Sequence, residues 1–353
     1  MTGPPRLVIP DDASPIEPME ALLVDELPTG PGWVFEPKWD GFRCIAVKSD
    51  GAVRLFAKSG KPLGRYFPEM VAALAALDDD VVLDGELTIP VGDALSFDAL
   101  QMRLHPAESR VRRLAAETPA LLVVFDLIAQ GGRAYTSEPL AARRRALEAF
   151  VAGHSSPSLR LSPQVSDRSQ ALAWLSNTGA SLDGVIAKQA DQPYRPGERA
   201  MLKVKNIRTA DCVVGGFRYG TGSRLVGSLL LGLYDAEGRL DHVGFTSGFA
   251  SLDKTELTRQ LEALRGDGFS GNAPGGPSRW STERTSTYEP LRHELVVEVT
   301  YDHVTGARFR HGTGFVRWRP DKAPRQCTYD QLHLAVTPST VIRGLLSGGE
   351  SPA

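Results

Sequence analysis

Four runs dense in branched and aromatic side chains, FRCIAV (42–47), VRLFA (53–57), VVLDGELTI (81–89) and LLVVFDLI (121–128), constrain the first 205 residues more than anything else in the chain. Such runs suit strands covered on both faces, so this part must fold around sheets. YFPEMVAALAAL (66–77), SEPLAARRRALEAF (137–150) and SQALAWLSNTGA (169–180) instead carry helical spacing. In the second of these, Ser137 is placed to cap the helix and Pro139 to fill its first turn. The Pro-rich, acidic segment up to about Pro31 reads as an extended arm.

The texture changes after Lys205. ADCVVGGFRYG, GSLLLGLYD and RLDHVGFTSG are short strands with Gly-rich turns, and SLDKTELTRQLEALR (251–265) is a single helical run. A loop rich in Gly, Pro and Ser (266–287) leads to the strands LVVEVTYDHV (295–304) and ARFRHGTGFVRWR (307–319). Short strands broken by one helix predict a small barrel of the OB type. The expected fold class is α+β. Residues 1–208, including the arm, form a domain of antiparallel sheets with flanking helices, 209–340 form the OB-fold barrel, and 341–353 form a disordered tail.

Composition bounds the function. Hydrophobic residues at 42% and charged residues at 23% of 353 exclude wholesale disorder. The net charge of −2 argues against a grip on nucleic acid through overall positive charge. Cys44, Cys212 and Cys327 are odd in number and far apart, which fits a reducing compartment better than a disulfide framework. With no stretch of signal-peptide or membrane-span character, a soluble cytoplasmic protein without a membrane partner is expected.

The sharpest chemical feature is Lys38-Trp39-Asp40-Gly41-Phe42-Arg43, entered through Val34-Phe35-Glu36-Pro37. A lysine just after a strand is a candidate nucleophile, the glycine permits a tight turn, and Arg43 returns on the next strand. Taken alone the hexapeptide is also a plain charged β-turn. Lys203 and Lys205 alternate along a strand and so share one face of it. Further pieces follow in order: Ala57-Lys58-Ser59-Gly60, Asp84-Gly85-Glu86-Leu87, Val124-Phe125-Asp126-Leu127, Asp183-Gly184-Val185-Ile186-Ala187-Lys188, Leu202-Lys203-Val204-Lys205 and Phe315-Val316-Arg317-Trp318-Arg319-Pro320-Asp321-Lys322.

This ordered series over residues 33–322 resembles the motif series of the covalent nucleotidyltransferases, the superfamily of DNA ligases, RNA ligases and mRNA capping enzymes. EPKWDGFRCIAVKSDG, SGKPLGRYFPE, LDGEL, VFDLI, DGVIAK and the closing ELVVEVTYDHVTGARFRHGTGFVRWRPDK look most like bacterial ATP-dependent DNA ligases. The length is similar to that of the short, two-domain actinobacterial group, the LigC type, which lacks a helical DNA-binding domain and polymerase or nuclease modules. Three departures stand out: Lys58 for the usual Arg, Asp183 for the commoner Glu, and His311-Gly312-Thr313 for a His-Pro pair.

The resemblance implies an adenylation domain followed by an OB domain, and a three-step reaction in DNA repair. Lys38 takes AMP from ATP as a phosphoramide, AMP passes to the 5′-phosphate at a DNA nick, and the 3′-hydroxyl attacks to seal the backbone. Lys203 and Lys205 assist as catalytic cations. Glu36 lies at the adenine edge, Phe125 against the ring, Arg43 on the ribose, and Lys188 among the nucleotide-binding residues. Glu86 is implied at the ribose or a metal, and Asp183 at Mg²⁺ or Mn²⁺, for which carboxylates with phosphates are the expected hard-oxygen ligands. Lys58 and Ser59 are implied on nick phosphates. Nicked double-stranded DNA is the expected partner, other repair proteins are candidates, and a monomer is expected. An RNA ligase or a capping-type guanylyltransferase is the alternative; a non-catalytic binding module is disfavoured by the intact Lys38, Lys203 and Lys205.

Between Arg308 and Arg325 there are six Lys or Arg (308, 310, 317, 319, 322, 325) against Asp321 alone. Such a strip suits ATP pyrophosphate or a nucleic-acid backbone. The resemblance favours the former for Arg317, Arg319, Asp321 and Lys322, brought in by rotation about a hinge near Asn206. The neutral total still predicts a weak intrinsic grip on DNA that falls steeply with salt.

Overall fold

The computed structural model describes residues 14–154, 156–177, 182–249, 252–275, 287–310, 312–332 and 340–347. The first residues of the arm, the end of the 169–180 run, most of the second half of the 266–287 loop, His311 and the last residues of the tail lie outside them. The described residues fall into two compact units, one reaching Asn206 and including Thr340–Ser347, the other running from Ile207 to Leu332.

The first unit contains β1 (Ala21–Leu23), β2 (Trp33–Trp39), β3 (Phe42–Ser49), β4 (Ala52–Ala57), α1 (Pro68–Ala75), β5 (Val81–Thr88), β6 (Pro90–Val91), β7 (Ala94–Leu95), α2 (Phe97–Arg103) and α3 (Glu108–Glu117). β8 (Leu121–Gln130), β9 (Arg133–Ala134), α4 (Leu140–Gly153), β10 (Leu159–Leu161), α5 (Arg168–Asn177), β11 (Leu182–Gln189) and β12 (Met201–Lys205) follow. One sheet has the order β10-β8-β5-β3-β4 with β9 on β8, the other β1-β12-β11-β2. Pairing is antiparallel except at two edges, where β1 lies parallel to β12 and β10 parallel to β8.

Alternation along β3 explains the unbroken apolar text of its run. Cys44 and Ala46 join one cluster with Phe67, Met70 and Leu74 around α1 and Leu147 and Phe150 on α4. Ile45 and Val47 face the other way, into a cluster with Ile16, Met19, Tyr194 and Met201. Both faces are covered, so neither alternates with polar residues.

Three sequence expectations are corrected. α4 starts from Pro139 as its N-cap, without a side-chain cap from Ser137. The Leu140 and Ala141 amides donate instead to the Gln192 and Ala190 carbonyls at 2.9 Å, so the helix start needs no hydroxyl. The arm is not simply extended, because β1 is a sheet edge. And residues at the start of the expected tail form α7 (Thr340–Leu346). Ile342 and Leu345, three apart on one helix face, pack with Trp39, Val123 and Leu182, and Arg160 Nε donates to the Leu345 carbonyl at 3.1 Å.

The second unit contains β13 (Arg208–Tyr219), β14 (Val226–Tyr234), β15 (Leu240–Thr246), α6 (Lys254–Ala263), β16 (Glu289–Pro290), β17 (Val296–Tyr301), β18 (Val304–Thr305), β19 (Arg308–Phe309) and β20 (Gly314–Trp318). Its sheet order is β15-β14-β13-β17-β20. A parallel bridge between Thr246 and Thr313, with Thr246 Oγ1 donating to the Thr313 carbonyl at 2.8 Å, joins the two edge strands as a barrel requires. Asp253 caps α6 by accepting from the Thr255 and Glu256 amides, and Leu257 and Leu261 turn into the barrel core. Cys44, Cys212 and Cys327 are all free and buried. Among the described residues no helix is long and apolar enough to cross a membrane.

Candidate active site

β2 ends at Trp39, turns through Asp40-Gly41 and returns as β3 against β5. A side chain at Gly41 would put its Cβ 2.8 Å from Glu86 Cγ and closer still to the Leu87 carbonyl oxygen. Only glycine lets the turn lie flat on β5. We expect Gly41→Ala to push the β2–β3 turn off β5, cutting lysine adenylation at least about tenfold and lowering the melting temperature. Wild-type adenylation at an unchanged melting temperature would contradict this.

Register then assembles the cations. Lys38 on β2 lies opposite Gly184 on β11, and Ile186 and Gly184 lie opposite Lys203 and Lys205 on β12. Gly184 has φ +147°, and a Cβ there would sit 2.9 Å from Lys205 Cα, so glycine is what permits β12 to approach. Lys38 Nζ donates to one oxygen of Asp183, and Lys205 Nζ lies 4.0 Å from the other. Burial, and then the ammonium groups of Lys38, Lys205 and Lys58, push the Lys203 amine below the ordinary lysine range.

The opposite wall comes from β3, β5 and β8. Arg43 grips Asp84 with two hydrogen bonds of 2.6 Å and donates to the Met19 carbonyl at 3.2 Å. The Tyr194 hydroxyl donates to the same Asp84 at 2.6 Å and accepts from the Met19 amide at 2.9 Å. Arg43 then lies over the Phe125 ring at 4.6 Å, with Lys188 Nζ at 4.9 Å from that ring. Phe125 is half-exposed within the buried run from Leu121 to Asp126, so it faces the pocket and is not a core phenylalanine. Burial pushes the Glu86 carboxyl up to about 7, against the pull of Arg43 and Lys38.

At the back, Glu36 is 2% exposed and receives two donors: Lys188 Nζ at 2.7 Å on Oε2 and Gln164 Nε2 at 2.8 Å on Oε1. A carboxylate this deep is stable only with such partners. Glu36, Lys38, Arg43, Lys58, Glu86, Phe125, Lys188 and Lys203 thus line one pocket, with Asp183 and Lys205 joined to it through Lys38.

Not every candidate meets there. Ser59 is exposed in the turn after β4, while Lys58 forms a 2.8 Å ion pair with Glu20. Arg317, Arg319, Asp321 and Lys322 belong to the second unit. Three of the six basic residues in the strip read from residues 308–325 are paired with carboxylates. Arg317 pairs with Glu298 at 2.6 Å, and Arg319 and Lys322 pair with Asp211 at 2.9 and 2.7 Å. These acids lie on β17 and β13, outside the counted segment. Sequence reasoning also missed Met19 and Glu20, which line the pocket from the arm, and Gln164 and Tyr194, which hold its side chains. No motif carried any of the four.

A two-unit chain with this lysine-centred pocket in one unit and an OB barrel in the other has the architecture of a covalent nucleotidyltransferase. Residues 16–205 match the family model of the ATP dependent DNA ligase domain, and residues 222–322 match the ATP dependent DNA ligase C terminal region. DNA ligase C2 of Mycolicibacterium smegmatis is 45% identical, over 90% of this chain and 94% of the relative. DNA ligase C of Mycobacterium tuberculosis is 43% identical, over 94% and 98%. A solved Lig E DNA ligase structure shares the fold with a TM-score of 0.53 at 16% identity, covering 85% of this chain and 99% of that one. The chain belongs to the ATP-dependent DNA ligase family; it is an enzyme, uses ATP, and is of the actinobacterial LigC-like type.

Proposed function

We propose that the chain seals nicks in double-stranded DNA during repair, through an AMP carried on Lys38, and that the pocket around Lys38 is the adenylation site. The observation that carries this is the convergence of Lys38 and Lys203 with the Phe125–Arg43–Lys188 wall in one pocket. The Lys38 amine attacks the α-phosphate, its bond to phosphorus forms as that to pyrophosphate breaks, and Lys203 and Lys205 offset the charge on the phosphate oxygens. Phe125 offers a face for the base and Arg43, locked by Asp84, a donor for the ribose.

Glu36 is assigned as acceptor for the 6-amino group of adenine and Lys188 as donor to the neighbouring ring nitrogen. Guanine, with an oxygen at position 6 and a donor on that ring nitrogen, would need the two side chains in exchanged places, and the match to the ATP dependent DNA ligase domain favours adenine. Lys58 and Ser59 are assigned to nick phosphates, although Lys58 must first leave Glu20.

Among the described residues no three His, Cys, Asp or Glu side chains gather as a metal cage. Asp183 and Glu86 fit a magnesium-type ion that takes one or two carboxylates and completes its shell with phosphate oxygens and water. Such an ion, when bound, would neutralise phosphate charge.

Incubation with α-labelled ATP and Mg²⁺ or Mn²⁺, followed by unlabelled nicked duplexes, tests the proposal. Label should become acid-stable on the protein, then pass to the 5′ end of a DNA nick. Preferential labelling by GTP, or preferential sealing of RNA nicks, would overturn it.

A further inference from the structure

The segment after β10 crosses from one sheet of the first unit to the other. The Ser162 amide still donates to the Val124 carbonyl at 2.8 Å, whereas Val165 forms an antiparallel bridge with Phe35 on β2. Trp39 Nε1 donates to Ser162 Oγ at 2.9 Å and Arg144 Nη1 to the Ser162 carbonyl at 2.8 Å, so the crossing is tied at its start as well. Gln164 lies beside Glu36 because its neighbour Val165 is paired with Glu36's neighbour Phe35. Glu36 is an acceptor only, so the Gln164 amide must turn its NH₂ toward it.

We infer that Gln164 is a positioning residue that sets the enzyme's preference for a 6-amino purine, acting through Glu36. The inference rests on the assignment of Glu36 to the base edge. With Lys188 on one oxygen and Gln164 on the other, the carboxylate plane is fixed and each oxygen keeps one lone pair. Rotation about the terminal carbon bond would break one of the two bonds. A fixed acceptor rewards a donor at position 6 of the purine and repels an oxygen there. Without Gln164, Lys188 alone would hold Glu36 through a single oxygen, and the carboxylate would be free to turn away from the base. Selectivity of this kind depends on pre-set geometry more than on the number of contacts.

The test compares full-length wild type with Gln164→Leu, Gln164→Asn and Glu36→Gln in single-turnover labelling by α-labelled ATP. Inosine triphosphate, the same ring with oxygen in place of the 6-amino group, serves as competitor. For both Gln164 variants we expect the half-saturating ATP concentration to rise about tenfold, as the loss of one hydrogen bond to a charged group allows. The maximal labelling rate should stay within about twofold and the inosine competition constant within about twofold, so the preference falls about tenfold. A general disturbance of the pocket would weaken both nucleotides alike, and an unchanged preference in the Gln164 variants overturns the inference. The Asn variant, whose amide is one methylene too short, carries the test if the Leu variant does not fold. If Glu36→Gln abolishes the preference while both Gln164 variants keep it, only the role of Gln164 falls. If Glu36→Gln keeps it too, the base-edge assignment itself falls.

Discussion

Lys38→Arg is expected to lose covalent labelling by α-labelled ATP by at least about three orders of magnitude, the scale on which enzymes lose rate with their nucleophile. The substitution keeps the positive charge and the reach to Asp183, so the ion pair that anchors the side chain survives. What it removes is the amine. A guanidinium stays protonated in proteins and offers no lone pair to phosphorus. The variant therefore separates the two roles proposed for Lys38: standing as one of four neighbouring lysines, with Lys58, Lys203 and Lys205, and attacking. Sealing of a nick that already carries AMP on its 5′-phosphate needs only the first, so Lys38→Arg should retain far more of that activity than of labelling. Undiminished labelling would end the assignment of Lys38, and equal loss in both steps would mean that the lysine acts mainly as a cation.

How much of this was legible in the sequence depends on whether a residue's partners are local in register. Lys38, Lys203 and Lys205 could be brought together from text because strand alternation fixes which face a side chain takes, and short motifs mark the strands. The register of β2, β11 and β12 does the rest. Met19, Glu20, Gln164 and Tyr194 were not legible for the opposite reason. Tyr194 reaches Asp84 across 110 positions and Gln164 reaches Glu36 across 128, with no periodic pattern to announce either. The arm read only as extended, without a sheet partner, because three residues of β1, two of them exposed, are too few for a strand signal, although Leu23 pairs in register with Lys203 itself. Charge was misread for a related reason. A count along residues 308–325 sees Arg317 of β20 and Arg319 just after it, and not Glu298 or Asp211, which the sheet sets beside them. Seven residues are likewise too short a span for α7 to register, though Ile342 and Leu345 at helical spacing were the available signal.

Asp126, next to the pocket-facing Phe125, had no role in the sequence, and its substitution should have the largest effect on stability. Strand alternation turns it away from the pocket and into the protein, where it is 2% exposed and meets Arg143, 1% exposed. Two parallel bonds of 2.7 and 2.9 Å join them, and Arg143 also donates to the Glu138 and Gln192 carbonyls at 2.7 and 3.1 Å. Each guanidinium nitrogen is thus engaged, and removing the carboxylate strands a buried cation. Asp126→Ala should destabilise the first unit by about 3–5 kcal/mol, lowering its thermal midpoint by about 10 °C or more. Replacing both partners, as Asp126→Leu with Arg143→Leu, removes the stranded charge and should recover part of the loss. Recovery stays incomplete because the Glu138 carbonyl then loses the donor that Arg143 supplies, whereas the Gln192 carbonyl keeps the Leu140 amide. Arg143 also lies under the Tyr194 ring at 5.6 Å, and Tyr194 holds the Asp84 that holds Arg43. At temperatures where the double variant is folded, its ATP requirement should therefore rise more than its maximal labelling rate falls. A midpoint for Asp126→Ala within about 2 °C of wild type would show that water or another donor relieves the cation, and the pair would then not be the strut that holds the FDLI strand to α4.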